Sequence, residues 1–410
     1  MHAKSGLDVR SLDSSTVSGH NECERVVPIN FCITDDSSAA KRTILMSALP
    51  NENVEVSSTQ VSFEQVTGVV SSEFRVQESL MDNGIPTYFL AQPQETKQAF
   101  LRLLRKLQPM NLIALLRRID GRVVLRVVSR PTVKPSNILI NWALFFATIA
   151  TTFVTGYMLS PNEINPIIGG ASFTMAVMAV LGIHEMGHKI TANRKGIDAT
   201  LPYFIPGPPP LFGGFGTFGA VIMQKSLPRN KDALFDVGAD GPIAGFIVAI
   251  IVSAIGLTLL IPAPATPNTS PIGVPIMWNI LEIFLRNLNM FPKAPPGYDL
   301  YLHPVAFAGW VGMLVTTLNL LPVAMLDGGH VARSVLGERL GLRLVLAALS
   351  IGYLVFEGLI PMAFLVGLML FFRHPGPLDD VSSLSTSRKF VALGLVAILI
   401  LCAVPFTPIF

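Results

Sequence analysis

The sequence has few charged residues. Only 14% of its 410 residues are Asp, Glu, Lys or Arg, against roughly 25% in an ordinary soluble domain. Half of the residues (50%) are hydrophobic, and the mean hydropathy is +0.54. The net charge is only +3, and no run of five basic residues occurs, so we expect no nucleic-acid partner. This composition excludes an ordinary soluble protein and indicates a polytopic membrane protein.

Cysteine is also scarce, and its spacing excludes two common kinds of site. Cys23, Cys32 and Cys402 form neither a CxxC pair nor a disulfide framework. The start of the chain has no apolar segment typical of a secretory signal. Residues 1–60 are instead rich in Ser, Thr, Asn, Asp and Glu, which predicts a disordered cytosolic tail.

Residues 61–134 differ from the rest of the chain in having short β-rich runs and one amphipathic helix. The runs PTYFLA and GRVVLRVV predict strands. The run ETKQAFLRLLRKL has helical periodicity, with Phe100, Leu103, Leu104 and Leu107 on one face. We therefore predict a small soluble α/β domain on the cytosolic side.

From Ile138 onward the apolar runs approach the ~20 residues that a helix needs to cross a bilayer. Within a membrane-embedded region of 138–408, the pattern predicts about seven spans: 138–159, 167–192, 241–261, 303–326, two shorter ones in 341–373, and 390–407. Glu357, Gly358 and Pro361 favour a break in 341–373, although one bent helix is the alternative. The predicted fold class is an all-α polytopic membrane protein with an added N-terminal α/β domain.

Lysine and arginine predict the orientation of these spans, because they collect on the cytoplasmic side. Sixteen precede the first span, six lie in 189–232, three in 325–343 and three in 372–389; only two lie in 262–302 and none in 160–166. The N-terminus and the loops after the second and fourth spans are therefore expected to face the cytosol.

The second predicted span contains the sequence His184-Glu185-Met186-Gly187-His188, an HExxH motif. Residues four apart lie on one face of a helix, so both histidines can bind one Zn²⁺ while Glu185 approaches its bound water. Ionisable groups at membrane depth are costly, commonly by ~3 kcal/mol or more each, and usually mark a functional site. The motif predicts a catalytic metal centre within the membrane.

A catalytic zinc site usually has three protein ligands, so a third must come from another element. Asp327, in the run NLLPVAMLDGGH, lies at the cytoplasmic end of a span that runs in the same direction as the HExxH span. Both sites therefore fall in the cytoplasmic part of the membrane. His330 is a rival third ligand, with a solvent-facing or supporting role as its alternative.

These two motifs resemble those of the site-2 proteases, the intramembrane zinc metalloproteases of peptidase family M50. Residues 319–328 fit the family pattern NxxPxxxLDG, and GGFGTFGAVIMQ and FDVGADGPIAGF are similar to its archaeal and plastid branch. The resemblance implies one Zn²⁺ held by His184, His188 and Asp327, with Glu185 as general base. It also implies that Asn319 orients the substrate or stabilises the oxyanion; a bond between neighbouring helices is the alternative.

The run LPYFIPGPPPLFGGFGTFGAVIMQ follows the HExxH span, and its Pro and Gly content excludes a continuous helix. Such backbone exists at membrane depth only where it is buried or lines a wet cavity. We expect a re-entrant loop and hairpin beside the metal, with an ordinary cytoplasmic loop as the alternative. Gly241 and Gly245, four residues apart, predict close helix packing.

The expected activity is cleavage of transmembrane protein substrates inside the lipid bilayer, as in regulated intramembrane proteolysis. The expected location is an integral membrane protein with its N-terminus and active-site side in the cytosol, or in the stroma of a plastid. A non-proteolytic membrane scaffold or chaperone of the same fold is the alternative. A transporter is a third class, but the internal repeat typical of many transporters is not found.

Overall fold

A computed structural model describes residues 62–132, 135–264, 273–323, 325–337, 339–357, 359–371 and 375–403. The predicted disordered tail, residues 1–60, lies outside these ranges.

The first described region is an antiparallel sheet packed against two helices. Its elements are α1 (Phe63–Ser71), β1 (Val76–Asp82), β2 (Ile85–Leu90), α2 (Lys97–Leu107), β3 (Leu112–Ile119) and β4 (Arg122–Ser129). The strand order is β1-β2-β4-β3, which leaves β3 at one edge. Phe100, Leu103 and Leu107 of α2 are fully buried against the sheet, because the apolar face of this helix covers the apolar face of the strands.

The sequence predicted β2, β4 and α2 but not β1 and β3. Strand β1 reads VQESLMD, and its residues are half-buried or exposed throughout. Strand β3 reads LIALLRRI, an apolar run of a length that fits a strand or a buried helix segment equally well. Pairing with neighbouring strands, rather than local pattern, defines both elements.

The remainder of the described chain is mainly helical, with two short antiparallel strand pairs. Its elements are α3 (Ile138–Met158), α4 (Pro166–Arg194), β5 (Tyr203–Pro206), β6 (Thr217–Val221), α5 (Lys231–Thr258), β7 (Ile261–Pro264), α6 (Ile276–Asn287), β8 (Tyr298–Tyr301), α7 (Pro304–Leu320), α8 (Asp327–Leu336), α9 (Leu340–Phe356), α10 (Ile360–Met369) and α11 (Thr386–Cys402). Antiparallel pairing joins β5 to β6 and β7 to β8. Within the described ranges, α3, α4 and α5 are the helices long and apolar enough to cross a membrane by length and composition, and α7 and α9 are shorter apolar helices.

The structure corrects the bounds of two predicted spans. Helix α5 begins at Lys231, ten residues before the predicted 241, and Pro242 lies inside it rather than at its start. The prediction began too late because it placed Pro242 at an early helical position. The preceding residues are helical too, and Asp232 and Asp236 among them are paired with cations of other elements. Helix α7 ends at Leu320 rather than 326, because Leu321 precedes Pro322 and is held in an extended conformation. The region 341–373 contains two helices, α9 and α10, as the break at Glu357 predicted.

Helices α4, α5 and α7 form the centre of the helical region and pack closely through small residues. A Cβ added at Gly256 of α5 would lie 2.3 Å from Ala306 Cα of α7, and one added at Gly309 would lie 2.5 Å from Ser253 Oγ. Both distances are too short for a side chain at either glycine. The two helix backbones can therefore approach this closely only because glycine occupies these positions. This packing brings the C-terminal half of α4, the middle of α5 and the C-terminal end of α7 together.

Candidate metal centre

Three side-chain atoms from two distant parts of the chain converge at the centre of this bundle. His184 Nε2 and His188 Nε2, on successive turns of α4, lie 3.1 Å apart. Asp327 Oδ2, at the start of α8, lies 3.2 Å from the first and 3.1 Å from the second. Both histidines are buried, 2% and 5% exposed. The sequence predicted this set of residues, and the fold brings all three together.

A hydrogen bond to α5 fixes the tautomer of the His188 ring. Its Nδ1 lies 2.6 Å from the carbonyl oxygen of Val237 in α5, so Nδ1 carries a proton that it donates. In the neutral ring Nε2 then presents a lone pair to the carboxylate oxygen of Asp327, which also lacks a proton to give. Two acceptors at this separation repel unless a proton or a metal cation lies between them.

The donor set and its spacing fit zinc. Ligand atoms at zinc-binding distance from a tetrahedral ion lie roughly 3.3 Å from one another, and the three separations here are 3.1 to 3.2 Å. Two imidazoles and one carboxylate are also a ligand set that catalytic zinc uses, with a fourth position left for water. His184, His188 and Asp327 would therefore hold the metal.

Glu185 lies beside this centre without joining the triangle of donors. Its Oε1 is 4.0 Å from His184 Nε2, and its side chain is buried. The backbone N–H of Ile222, immediately after β6, donates a hydrogen bond to its carboxylate. His184, Glu185 and His188 each offer one ligand atom within 4.8 Å of the others. Glu185 is thus placed to contact a water bound at the centre.

The break between α7 and α8 positions Asp327. Helix α8 starts at Asp327, where a carboxylate is favoured by the positive end of the helix dipole. Gly328 is required at the next position, because a Cβ there would lie 2.1 Å from the carbonyl oxygen of Leu320. The glycine of the LDG sequence therefore allows the close backbone approach at the start of α8, where the Asp327 carboxylate faces α4. His330, the rival ligand, lies one turn later on α8, where its Cβ packs against Gly238 of α5.

Asn319 lies in the last turn of α7, close to the centre. Its Nδ2 is 3.1 Å from His184 Nε2. The side chain therefore reaches the donor cluster itself, a position from which an amide can contact a substrate carbonyl.

Helix α5 supplies no predicted metal ligand, but it packs against all three predicted ligands. A Cβ at Gly241 would meet the imidazole of His188 at 2.1 to 2.4 Å, and one at Gly245 would lie 2.8 Å from His184 Nδ1. At Gly238 a Cβ would lie 3.0 Å from the carbonyl oxygen of Asp327. The sequence predicted close packing at Gly241 and Gly245. The residues packed there are the metal-ligand candidates themselves, which local pattern could not indicate.

We expect Gly241→Ala to raise the zinc dissociation constant of the purified protein by at least about tenfold, comparable to the loss of a supporting contact to a ligand. The added methyl group cannot occupy the space of the His188 ring, so the ring must move. Gly352→Ala in α9 is the matched control, because a Cβ there meets nothing within 4 Å. Equal zinc affinity in the two variants would show that α5 does not set the position of His188.

The segment after α4 forms a hairpin that begins and ends beside the centre. Strand β5 pairs with β6, and Gly207 and Gly216 close the connecting loop through a hydrogen bond of 3.0 Å. At the loop end, Phe215 contacts Phe307 and Trp310 of α7, and Phe307 stacks on Phe173. Phe173 precedes Glu185 by twelve residues of α4, a distance of about 18 Å. The hairpin therefore extends far along the bundle instead of forming a loop at its end.

A family model for peptidase family M50 matches residues 172–359, a range that contains both histidines, Glu185, Asn319 and Asp327. This region of the chain matches peptidase family M50. The M50 region includes α4, the hairpin, α5, α7, α8 and α9, which are the elements that build and surround the centre. It does not include the N-terminal sheet.

Similar proteins include probable zinc metalloproteases of plastids. A probable chloroplastic zinc metalloprotease EGY2 of Arabidopsis thaliana is 31% identical over 56% of this chain and 40% of its own length. Its counterpart from Oryza sativa subsp. indica is 27% identical over 68% of this chain and 52% of its own length. The chain thus spans about half the length, or less, of these relatives. Among solved structures, a site-2 protease from Methanocaldococcus jannaschii is similar over 65% of this chain and 92% of its own, with 17% identity and a TM-score of 0.26.

Proposed function

We propose that the chain is an intramembrane zinc metalloendopeptidase that cleaves membrane-tethered proteins in or near their transmembrane segments. The observation that carries this proposal is the convergence of His184, His188 and Asp327 within 3.2 Å, with Glu185 beside them. The centre lies among apolar helices, where these polar groups would be costly without a function.

Each residue has a separate role in the proposed reaction. Bound by His184, His188 and Asp327, zinc would activate a water molecule and polarise the scissile carbonyl. Glu185 takes a proton from the attacking water and later delivers it to the leaving amine. The amide of Asn319 donates to the substrate carbonyl oxygen as negative charge develops on it.

The proposed chain arrangement is a tail (1–60), a soluble α/β domain (61–134) and a membrane-embedded peptidase domain (138–408) with about seven spans. The N-terminus and the active-site side face the cytosol, or the stroma in a plastid. The distribution of Lys and Arg supports this orientation. Lipid and transmembrane substrates are the proposed partners.

Labelling of single introduced cysteines tests this topology. Cysteines at Asn193, in the last turn of α4, and at Arg339, after α8, are expected to react with a membrane-impermeant reagent from the cytosolic side. A cysteine at Asn287, the last residue of α6, is expected to react from the opposite side only. All three positions are exposed, so each can react once the reagent reaches its side. Labelling of positions 193 and 287 from the same side would contradict the topology.

The hairpin is the proposed binding element for the substrate backbone. A helical substrate must unwind near the metal, and the released N–H and C=O groups cost several kcal/mol each in lipid unless they are paired. Strand β6 pairs with β5 along one edge, and its end contacts Glu185 through Ile222. Addition of the unwound substrate to the other edge of β6 would pair these groups and place a peptide bond beside Glu185.

Proline substitution in β6 tests this mode of binding. Ala220 and Val221 are adjacent in an extended strand, so their N–H groups point to opposite edges. Proline at the position whose N–H faces the substrate removes one hydrogen bond, and we expect cleavage to fall about tenfold or more while zinc remains bound. Alanine at Val221 is the control, since it keeps the N–H. Normal cleavage by both folded proline variants would rule out strand addition at β6.

The proposed activity itself is tested by reconstituting the purified chain in liposomes with single-span peptides and mapping the products by mass spectrometry. We expect cuts inside or next to the apolar segment, nearer its cytosolic end. Cleavage confined to soluble portions, equally rapid without lipid, would contradict the proposal.

A further inference from the structure

A short segment before α11 completes the core of the N-terminal sheet. Leu378, 6% exposed, belongs to the same buried cluster as Leu116 and Leu125 of that sheet. Leu227 and Val381, which also come from the helical region, pack against this cluster. The hydrophobic core of the N-terminal sheet therefore includes Leu378, which lies 249 positions after Ser129, the last residue of β4.

The backbone of this segment also extends the sheet. Leu116 N–H donates to the carbonyl oxygen of Leu378 at 2.9 Å, and Asp380 N–H donates to the carbonyl oxygen of Leu116 at 3.1 Å. These bonds add the segment in parallel to the free edge of β3. On its other side, Leu378 N–H donates to the carbonyl oxygen of Pro228, just before α5. Residues 378–380 thus link the sheet to the helical region.

The side chain of Asp380 continues this connection into α8. Its carboxylate accepts two hydrogen bonds from the Arg333 guanidinium, the one from Nη1 at 3.1 Å. The two side chains are only 1% and 6% exposed. Lys231, the first residue of α5, adds a longer contact of 3.5 Å to the same carboxylate. The segment that completes the sheet is therefore held to α8 by a buried, two-point ion pair.

Arg333 and Asp327 lie on the same ten-residue helix, α8, six residues and about 9 Å apart. We propose that Asp380 is a positioning residue for the metal centre: through Arg333 it ties α8, and with it Asp327, to the edge of the N-terminal sheet. The inference rests on the proposed function, because it takes Asp327 as a metal ligand. According to this inference, the N-terminal sheet contributes to the zinc affinity of the centre.

A change in the contact between Asp380 and Arg333 is expected to affect metal binding by Asp327. A buried guanidinium that loses its carboxylate counter-ion is favoured to move toward water, and such a movement displaces α8. Metal ligands hold their distances to within about 0.2 Å. A small shift of α8 is therefore enough to weaken the bond between Asp327 and the metal.

Thermodynamic linkage predicts an effect of zinc on β3 that a simple loss of stability in a variant would not explain. If docking of residues 378–380 on β3 favours metal binding, metal binding must favour docking to the same extent. Zinc should then slow hydrogen exchange of β3 amides, including that of Leu116, although the centre is on other elements.

The experiment uses the full chain in nanodiscs and measures zinc affinity and hydrogen exchange of the β3 peptide, with zinc and with chelator. Asp380→Asn removes the charge and keeps the shape. The double variant Asp380→Asn with Arg333→Met removes both buried charges together, so that the fold does not carry the guanidinium charge without its carboxylate counter-ion. Two controls are Asp82→Asn, which breaks an Asp–Arg pair inside the sheet domain, and Lys231→Met, which removes the contact from α5.

We expect the zinc dissociation constant to rise about tenfold in Asp380→Asn and in the double variant. Both variants should lose the zinc-dependent protection of β3, while the two controls keep it. A folded double variant with the zinc affinity and the protection of the native chain would overturn the inference, as would an equal loss in Lys231→Met, which would place the connection in α5. Failure of the native chain to bind zinc would overturn the metal centre itself and this inference with it.

Discussion

Glu185→Gln is expected to reduce peptide cleavage by at least about a thousandfold, within the range that a positioned general base contributes. The amide has the size of the carboxylate but cannot take a proton from water. The hydrogen bond from Ile222 N–H can be kept, because the glutamine side chain retains a carbonyl oxygen. Rates with a single-span peptide in liposomes measure the effect.

Zinc content distinguishes loss of the base from loss of the metal. Glu185 lies outside the triangle of donor atoms, so the glutamine variant should retain close to one zinc per chain. Met186→Leu is a useful control, because this neighbouring residue is partly exposed and keeps a similar volume. Substantial cleavage by Glu185→Gln would require a different base.

Asp327→Ala is expected to lose both zinc and cleavage. It removes one of three ligands, so zinc affinity should fall by more than the roughly 100-fold that loss of a supporting contact costs. His184→Ala should behave in the same way, since each of the two residues supplies one corner of the donor triangle. Metal analysis after dialysis against a weak chelator measures the loss.

His330→Ala is the control for this prediction, because His330 was the rival third ligand. We expect it to keep its zinc, since the Asp327 carboxylate already lies 3.1 and 3.2 Å from the two histidines. Full zinc retention by Asp327→Ala, together with zinc loss in His330→Ala, would transfer the third ligand to His330.

The residues that converge could be selected from the sequence because they lie in short local patterns. His184 and His188 share a helix face at a fixed spacing, and Asp327 follows a proline that must interrupt a helix. Gly241 and Gly245 gave only the expectation of close packing. The two glycines pack against His188 and His184. This contact joins two helices, and local sequence pattern does not encode contacts between helices.

Charged residues at the ends of helices explain where the prediction of the fold was wrong. Helix α5 begins early, with Asp232 and Asp236, because Lys97, Lys195 and Arg388 neutralise them. These partners come from α2, from the residue after α4 and from α11, so no local window contains them. The contribution of Leu378 to the core of the N-terminal sheet was missed for the same reason, since a single leucine in a Pro-rich segment has no periodicity.

The central claim is that one zinc ion, held by His184, His188 and Asp327, supports proteolysis within the membrane. The most direct measurement removes metal from the reconstituted protein and follows cleavage of a single-span peptide as zinc is returned. The account predicts no cleavage without metal, a linear recovery that ends at one zinc per chain, and no recovery in Asp327→Ala. Cleavage at the full rate by the metal-free chain, or full recovery in Asp327→Ala, would contradict it.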